Sequence, residues 1–85
     1  MKLLITGGCG FIGSNLIRYI LSNTDYTVVN VDCLTYAADI NSLKLFENNE
    51  RYFFEEVDIC DAVKLKNVFT KHEPESVMHL AAESH

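Results

Sequence analysis

The chain has 85 residues, 48% of them hydrophobic, and a formal net charge of −5. That length allows one small domain that buries only a modest share of its surface and is marginally stable by itself. The acidic balance argues against nucleic acid or an anionic membrane as a partner, and no apolar run approaches the roughly 20 residues of a membrane span.

Residues 2–6 (Lys-Leu-Leu-Ile-Thr) read as a buried strand that stops at glycines. Beyond them Ile12, Leu16 and Ile20 recur at helical spacing with Ile17 and Leu21 beside them, which predicts an amphipathic helix of about three turns. Ser22-Asn23-Thr24-Asp25 is turn chemistry that ends it. Thr27–Val31, rich in β-branched residues, is a second strand ending at Asp32. A loop follows, then a short helix capped by Asp39 and carrying Ile40, Leu43 and Phe46. Tyr52–Val57 is a third strand. Asp61 is placed to cap a helix whose apolar positions are Ala62, Leu65, Val68 and Phe69 and which Pro74 terminates. His72 falls at the surface end of that helix. Ser76–Leu80 is a fourth strand, with His79 inside it as a core residue, and Ala81–His85 begins the next loop.

Strands alternating with helices imply a parallel sheet covered on both faces. Right-handed crossovers then give the order 3-2-1-4, the first half of a doubly wound, Rossmann-like α/β fold. Residues 1–85 thus read as the N-terminal part of one such domain.

Every polar candidate stands at the carboxyl end of a strand, the edge where open parallel sheets bind ligands. Gly8, Gly10 and Gly13 spell G-x-G-x-x-G, and Gly7, Gly10 and Gly13 give the related G-x-x-G-x-x-G spacing. Placed between a strand and a helix, such glycines let a pyrophosphate approach the backbone at a helix N-terminus. No lysine follows them, which disfavours a triphosphate-binding loop. Asp32 lies nineteen residues after Gly13, where an acid can hold both ribose hydroxyls and repel a 2′-phosphate, so NAD is preferred over NADP. Asp58 and Ile59 follow the third strand. They suit either an adenine or a plain turn before Asp61.

Cys9, Cys33 and Cys60 are far apart with no C-x-x-C pair, so small half-buried thiols are expected rather than a disulfide framework or a zinc site. His72, His79 and His85 repeat no ligand spacing, so no metal is expected. His85, at a strand exit, is the one histidine placed to meet a ligand. The residues four beyond Tyr19, Tyr26, Tyr36 and Tyr52 are Asn23, Asn30, Ile40 and Glu56, so no Tyr-x-x-x-Lys acid–base pair is present and no catalytic residue is assigned. The N-terminus, with only Lys2 before its strand, does not read as a secretory signal, which points to the cytoplasm.

The run Thr6–Gly13 resembles the opening of extended short-chain dehydrogenase/reductases that act on nucleotide sugars. Within that family, Val31-Asp32-Cys33-Leu34-Thr35-Tyr36-Ala37 and Met78-His79-Leu80-Ala81-Ala82-Glu83-Ser84-His85 resemble the dehydratases of dTDP-glucose. The resemblance implies bound NAD, with Gly7, Gly10, Phe11, Ile12 and Gly13 around the pyrophosphate. It implies Asp32, Cys33, Leu34 and Thr35 at the ribose, and Asp58 and Ile59 at adenine. Leu80, Ala81, Ala82, Glu83 and Ser84 would line the nicotinamide side, with Ser84 and His85 near the sugar nucleotide. Cys33, where the family commonly has lysine, and Ala38-Asp39, where it has Gly-Asn, depart from the pattern around the adenosine. The implied reaction oxidises the sugar at C4, expels water across C5–C6 and returns the hydride to C6, a net lyase reaction. Its acid–base residues and the homodimer interface would lie beyond His85, leaving these residues without turnover of their own. A UDP-sugar epimerase and a non-catalytic NAD-binding module are the alternative readings.

Overall fold

The computed structural model describes residues 1–33 and 44–80. In chain order they form β1 (Lys2–Thr6), α1 (Phe11–Asn23), β2 (Thr27–Asp32), β3 (Tyr52–Glu56), α2 (Ala62–His72) and β4 (Ser76–His79). All strands are parallel in the order β3-β2-β1-β4, as predicted. The helix expected from Asp39 falls largely outside the described residues. Of it, Lys44 and Leu45 are helical and Phe46 is buried.

Alternation along each strand sends neighbouring side chains to opposite faces. Leu3, Ile5, Val28 and Tyr52 face one way and pack with Ile17, Ile20 and Leu21 of α1. Leu4, Val29, Val31 and Val57 face the other way and pack with Val68 of α2. The two central strands are therefore largely apolar runs, interrupted in β2 by Asn30, as expected for a sheet covered on both sides.

Both helices bury most of the expected stripe, Ile17, Ile20 and Leu21 with Leu16 packed beside them in α1 and Val68 with Leu65 in α2, but not all of it. In α1 the buried residues are Gly13, Ile17, Ile20 and Leu21, whereas Ile12 is 72% exposed. In α2, Ala62 and Phe69 are exposed and the buried positions are Val68 and His72. His72 is thus no surface residue. Its ring lies 5.4 Å from that of Phe53, and its Nε2 meets Glu55 Oε2 at 2.6 Å. Asp61 does cap α2, its side chain accepting the Lys64 N–H.

His79 departs from expectation in the opposite sense. Every side chain of β4, the outermost strand among the described residues, is exposed in this chain. Cys9 is fully buried, while Cys33 and Cys60 are exposed, rather than all three being half-buried.

Arg51 closes the end of the sheet opposite the glycines. Its guanidinium donates to the carbonyls of Leu21 (2.7 Å), Thr24 (2.9 Å) and Tyr26 (2.8 Å). The last turn of α1 holds no basic residue of its own, so Arg51 supplies the cation that its terminal carbonyls favour. Arg51→Ala is expected to lower the unfolding free energy by about 2 kcal/mol, with Arg51→Lys intermediate because an ammonium cannot span three carbonyls. Urea denaturation of the three proteins measures this.

The Glu55 carboxyl is held below its ordinary value of 4.5, chiefly by the hydrogen bond with His72, with burial opposing it and Lys71 adding to the lowering. A depressed carboxylate pKa contributes stability that is complete above the ordinary value and is lost as pH falls through the depressed one. Lys71 is largely exposed, so its share is small. Glu55→Gln is expected to flatten the decline of the urea midpoint between about pH 5 and 3. An unchanged acid limb would show that the pair contributes nothing.

Candidate functional site

Residues 7–10 connect β1 to α1 at the carboxyl end of the sheet. Gly7 takes φ 73°, a left-handed conformation that favours glycine, and this turns the chain off β1. Three successive N–H groups of the loop are then tied to β2. Gly7 donates to the Val31 carbonyl (2.9 Å), Gly8 to Asn30 Oδ1 (3.0 Å) and Cys9 to Asp32 Oδ2 (2.9 Å).

The glycines that follow serve different ends. A Cβ on Gly13 would stand 2.5 Å from the Gly7 carbonyl oxygen and 2.7 Å from Gly8 Cα, so α1 can sit this close to the loop only without one. A Cβ on Gly10 would meet nothing nearer than the Gly7 oxygen at 3.6 Å, an ordinary contact. The Gly10 backbone, at φ −74° and ψ 174°, suits any residue. The fold does not demand glycine at position 10. Its bare backbone instead opens space in front of α1.

That helix start is well suited to an anion. Gly10, the N-cap, has no side chain to satisfy the first N–H groups, and the first turn contains no acid. Phe11 and Ile12 are 83% and 72% exposed, so this turn faces outward. Its N–H groups and the positive end of the helix dipole form a ready anion site.

Asp32 stands beside this cradle, half-buried at the end of β2, with Cys33 exposed next to it. Asp58 is exposed. Its Oδ1 accepts the Cys60 N–H at 2.9 Å and its carbonyl accepts the Asp61 N–H, so the turn reading of Asp58 is realised in the backbone. Ile59 packs partly against the core that holds Val57 and Val68. On the other flank, Leu80 is half-buried against the α1 side of the sheet. Its N–H donates to both the carbonyl and Oγ1 of Thr6. The Thr6 hydroxyl is also hydrogen-bonded with His79 Nδ1 at 2.6 Å. Leu34, Thr35, Ala81, Ala82, Glu83, Ser84 and His85 lie outside the described residues.

Asn30 was missed by pattern reading. It is 1% exposed, and its Nδ2 donates to the Tyr52 hydroxyl at 2.9 Å and contacts Cys9 Sγ at 3.5 Å. The available signal was an amide within Val28-Val29-Asn30-Val31, at a position where an apolar residue costs less. Among the described residues, no group of three or more His, Cys, Asp or Glu could hold a metal ion, and no helix is long and apolar enough to cross a membrane.

Comparison with known proteins extends this geometry. A family model described as GDP-mannose 4,6 dehydratase matches residues 4–85. The dTDP-glucose 4,6-dehydratases of Escherichia coli and Haemophilus influenzae are each 59% identical to the chain over all 85 residues. The chain spans about a quarter of the length of these relatives, 24% and 25%. Among solved structures, the dTDP-glucose 4,6-dehydratase of Bacillus anthracis in complex with NAD superposes with a TM-score of 0.90 at 36% identity, over 98% of this chain and 27% of that one.

The division of labour among the glycines predicts opposite outcomes for two alanine variants. Gly13→Ala is expected to lower the unfolding free energy by about 1–3 kcal/mol, because the loop must move to admit the methyl. Gly10→Ala is expected to melt within a few degrees of the parent. Thermal denaturation monitored by circular dichroism decides between equal and unequal effects.

Proposed function

Since this chain belongs to the GDP-mannose 4,6 dehydratase family, we propose that it forms the N-terminal, NAD-binding portion of a dTDP-glucose 4,6-dehydratase. The observation that carries this reading is Gly10, whose missing Cβ opens space at an uncapped helix start and fills no need of the fold. A pyrophosphate fits that cradle, held by the backbone of Gly7, Gly10, Phe11, Ile12 and Gly13. Asp32 holds the adenosine ribose, with Cys33, Leu34 and Thr35 around it. Asp58 and Ile59 take the adenine, Ile59 offering apolar surface and Asp58 a carboxylate oxygen beside the one used in its turn. Leu80, Ala81, Ala82, Glu83 and Ser84 flank the nicotinamide, and Ser84 and His85 reach toward the sugar nucleotide.

When bound, NAD supplies a hydride acceptor that is restored at the end of the cycle, so the net change is loss of water from dTDP-glucose to give the 4-keto-6-deoxy sugar. This chain's own contribution is to bind and orient. The loop amides neutralise pyrophosphate charge without a lysine, and the Asp32 carboxylate disfavours a 2′-phosphate. Proton transfer requires groups outside these 85 residues, which hold no Tyr-x-x-x-Lys pair. A lyase acting in the cytoplasm as a homodimer completes the reading; its dehydratase part is supported by identities of 54–59% to named dehydratases.

Calorimetric titration with NAD and with NADP tests the cofactor assignment. NAD is expected to bind more tightly than NADP. Asp32→Asn, which retains an oxygen for the Cys9 N–H while removing the charge, is expected to narrow that gap by about tenfold, the equivalent of 1.4 kcal/mol. Equal affinity for the two cofactors in the parent chain would contradict the role given to Asp32.

A further inference from the structure

Asn30 occupies a position that valine fills at each of its neighbours Val28, Val29 and Val31. Burying an amide there costs several kcal/mol unless its polar atoms are satisfied. They are satisfied in one orientation only. Gly8 offers an N–H, so Oδ1 must face it, and Nδ2 then falls on the Tyr52 hydroxyl. The loop lies directly on this amide, since a Cβ on Gly8 would run into Asn30 Oδ1. Tyr52 belongs to β3, its ring packs 5.3 Å from that of Phe46, and burial pushes its hydroxyl pKa up, keeping it neutral.

We infer that Tyr52 and Asn30 form a buried positioning relay for dinucleotide binding. The β3 hydroxyl accepts from Nδ2 and so holds the β2 amide with Oδ1 on Gly8, and the amide anchors the Gly8 peptide from which the phosphate cradle is built. Neither residue touches the cofactor in this arrangement. The inference rests on the NAD reading above and extends it to two residues that the glycine motif does not contain.

Asn30→Leu strands the Gly8 N–H and the Tyr52 hydroxyl in the core and threatens folding itself. Tyr52→Phe is the informative variant, because it preserves the packing against Phe46 and removes only the hydroxyl that accepts from Asn30 Nδ2. In the unliganded full chain, hydrogen exchange at the Gly8 amide is expected to accelerate about tenfold while the Leu4 and Val29 amides of the sheet keep their rates. NAD affinity by calorimetry, well below the melting temperature, is expected to fall about tenfold. Unchanged exchange at Gly8 overturns the relay. Uniform acceleration across the sheet shows a merely structural residue and overturns it too, as does faster Gly8 exchange with unaltered NAD affinity. Failure of the parent chain to bind NAD refutes the cofactor reading and with it the binding role. Gly8 exchange then still reports whether the relay orders the loop.

Discussion

Three consecutive amides of one loop, at Gly7, Gly8 and Cys9, are bound to three consecutive residues of the neighbouring strand, Val31, Asn30 and Asp32. The acceptors are a backbone carbonyl, a buried amide oxygen and a carboxylate. This stitching fixes where β1 hands over to α1, and so where the helix begins. It also uses up the loop's early donors on the protein side, leaving the first turn of α1 to face outward. A preorganised donor array costs little further ordering when an anion arrives.

The remainder of the fold serves that placement. The apolar faces of β1 and β2 are both covered, one by α1 and one by α2, and each fully buried aliphatic side chain contributes about 1.5–3 kcal/mol. Two charged groups pin the layers at other points. Arg51 gathers the carbonyls at the far end of α1, and Glu55 joins β3 to His72 and Lys71 of α2. The carboxyl edge of the sheet, freed from holding the layers together, carries polar groups at the ends of β1, β2 and β4. A cleft of about 190 Å³ between β3 and α2, lined by Glu55, Val57, Lys64, Asn67, Val68 and Lys71, belongs to the other face of this packing and not to the phosphate cradle.

The strand order and the α2 cap could be read from local pattern alone. Val-rich runs, glycine punctuation and Asp61 act within a few residues of themselves, and right-handed crossover does the rest. What pattern could not reach was contact across the sequence. Ile12 fits the α1 stripe by spacing yet is exposed, because burial depends on what lies beneath the first turn. His72 reads as a surface residue by pattern, yet β3 brings Glu55 and Phe53 to it, and His79 reads as core, yet its side chain is exposed in this chain. Asn30 and Arg51 each act on partners more than twenty residues away in sequence. The glycines of the site were legible, but not their different tasks: steric need at Gly13 and its absence at Gly10 are facts of packing.

The central claim is that the uncapped start of α1, with Gly10 before it and Asp32 beside it, is a dinucleotide cradle. The most direct measurement is an NMR titration of the isotope-labelled chain with NAD, read amide by amide. The largest shifts should fall on Gly10, Phe11, Ile12 and Asp32, with the amides lining the β3–α2 cleft unmoved. Shifts centred on that cleft, or no response at the glycine loop under saturating NAD, would contradict the account.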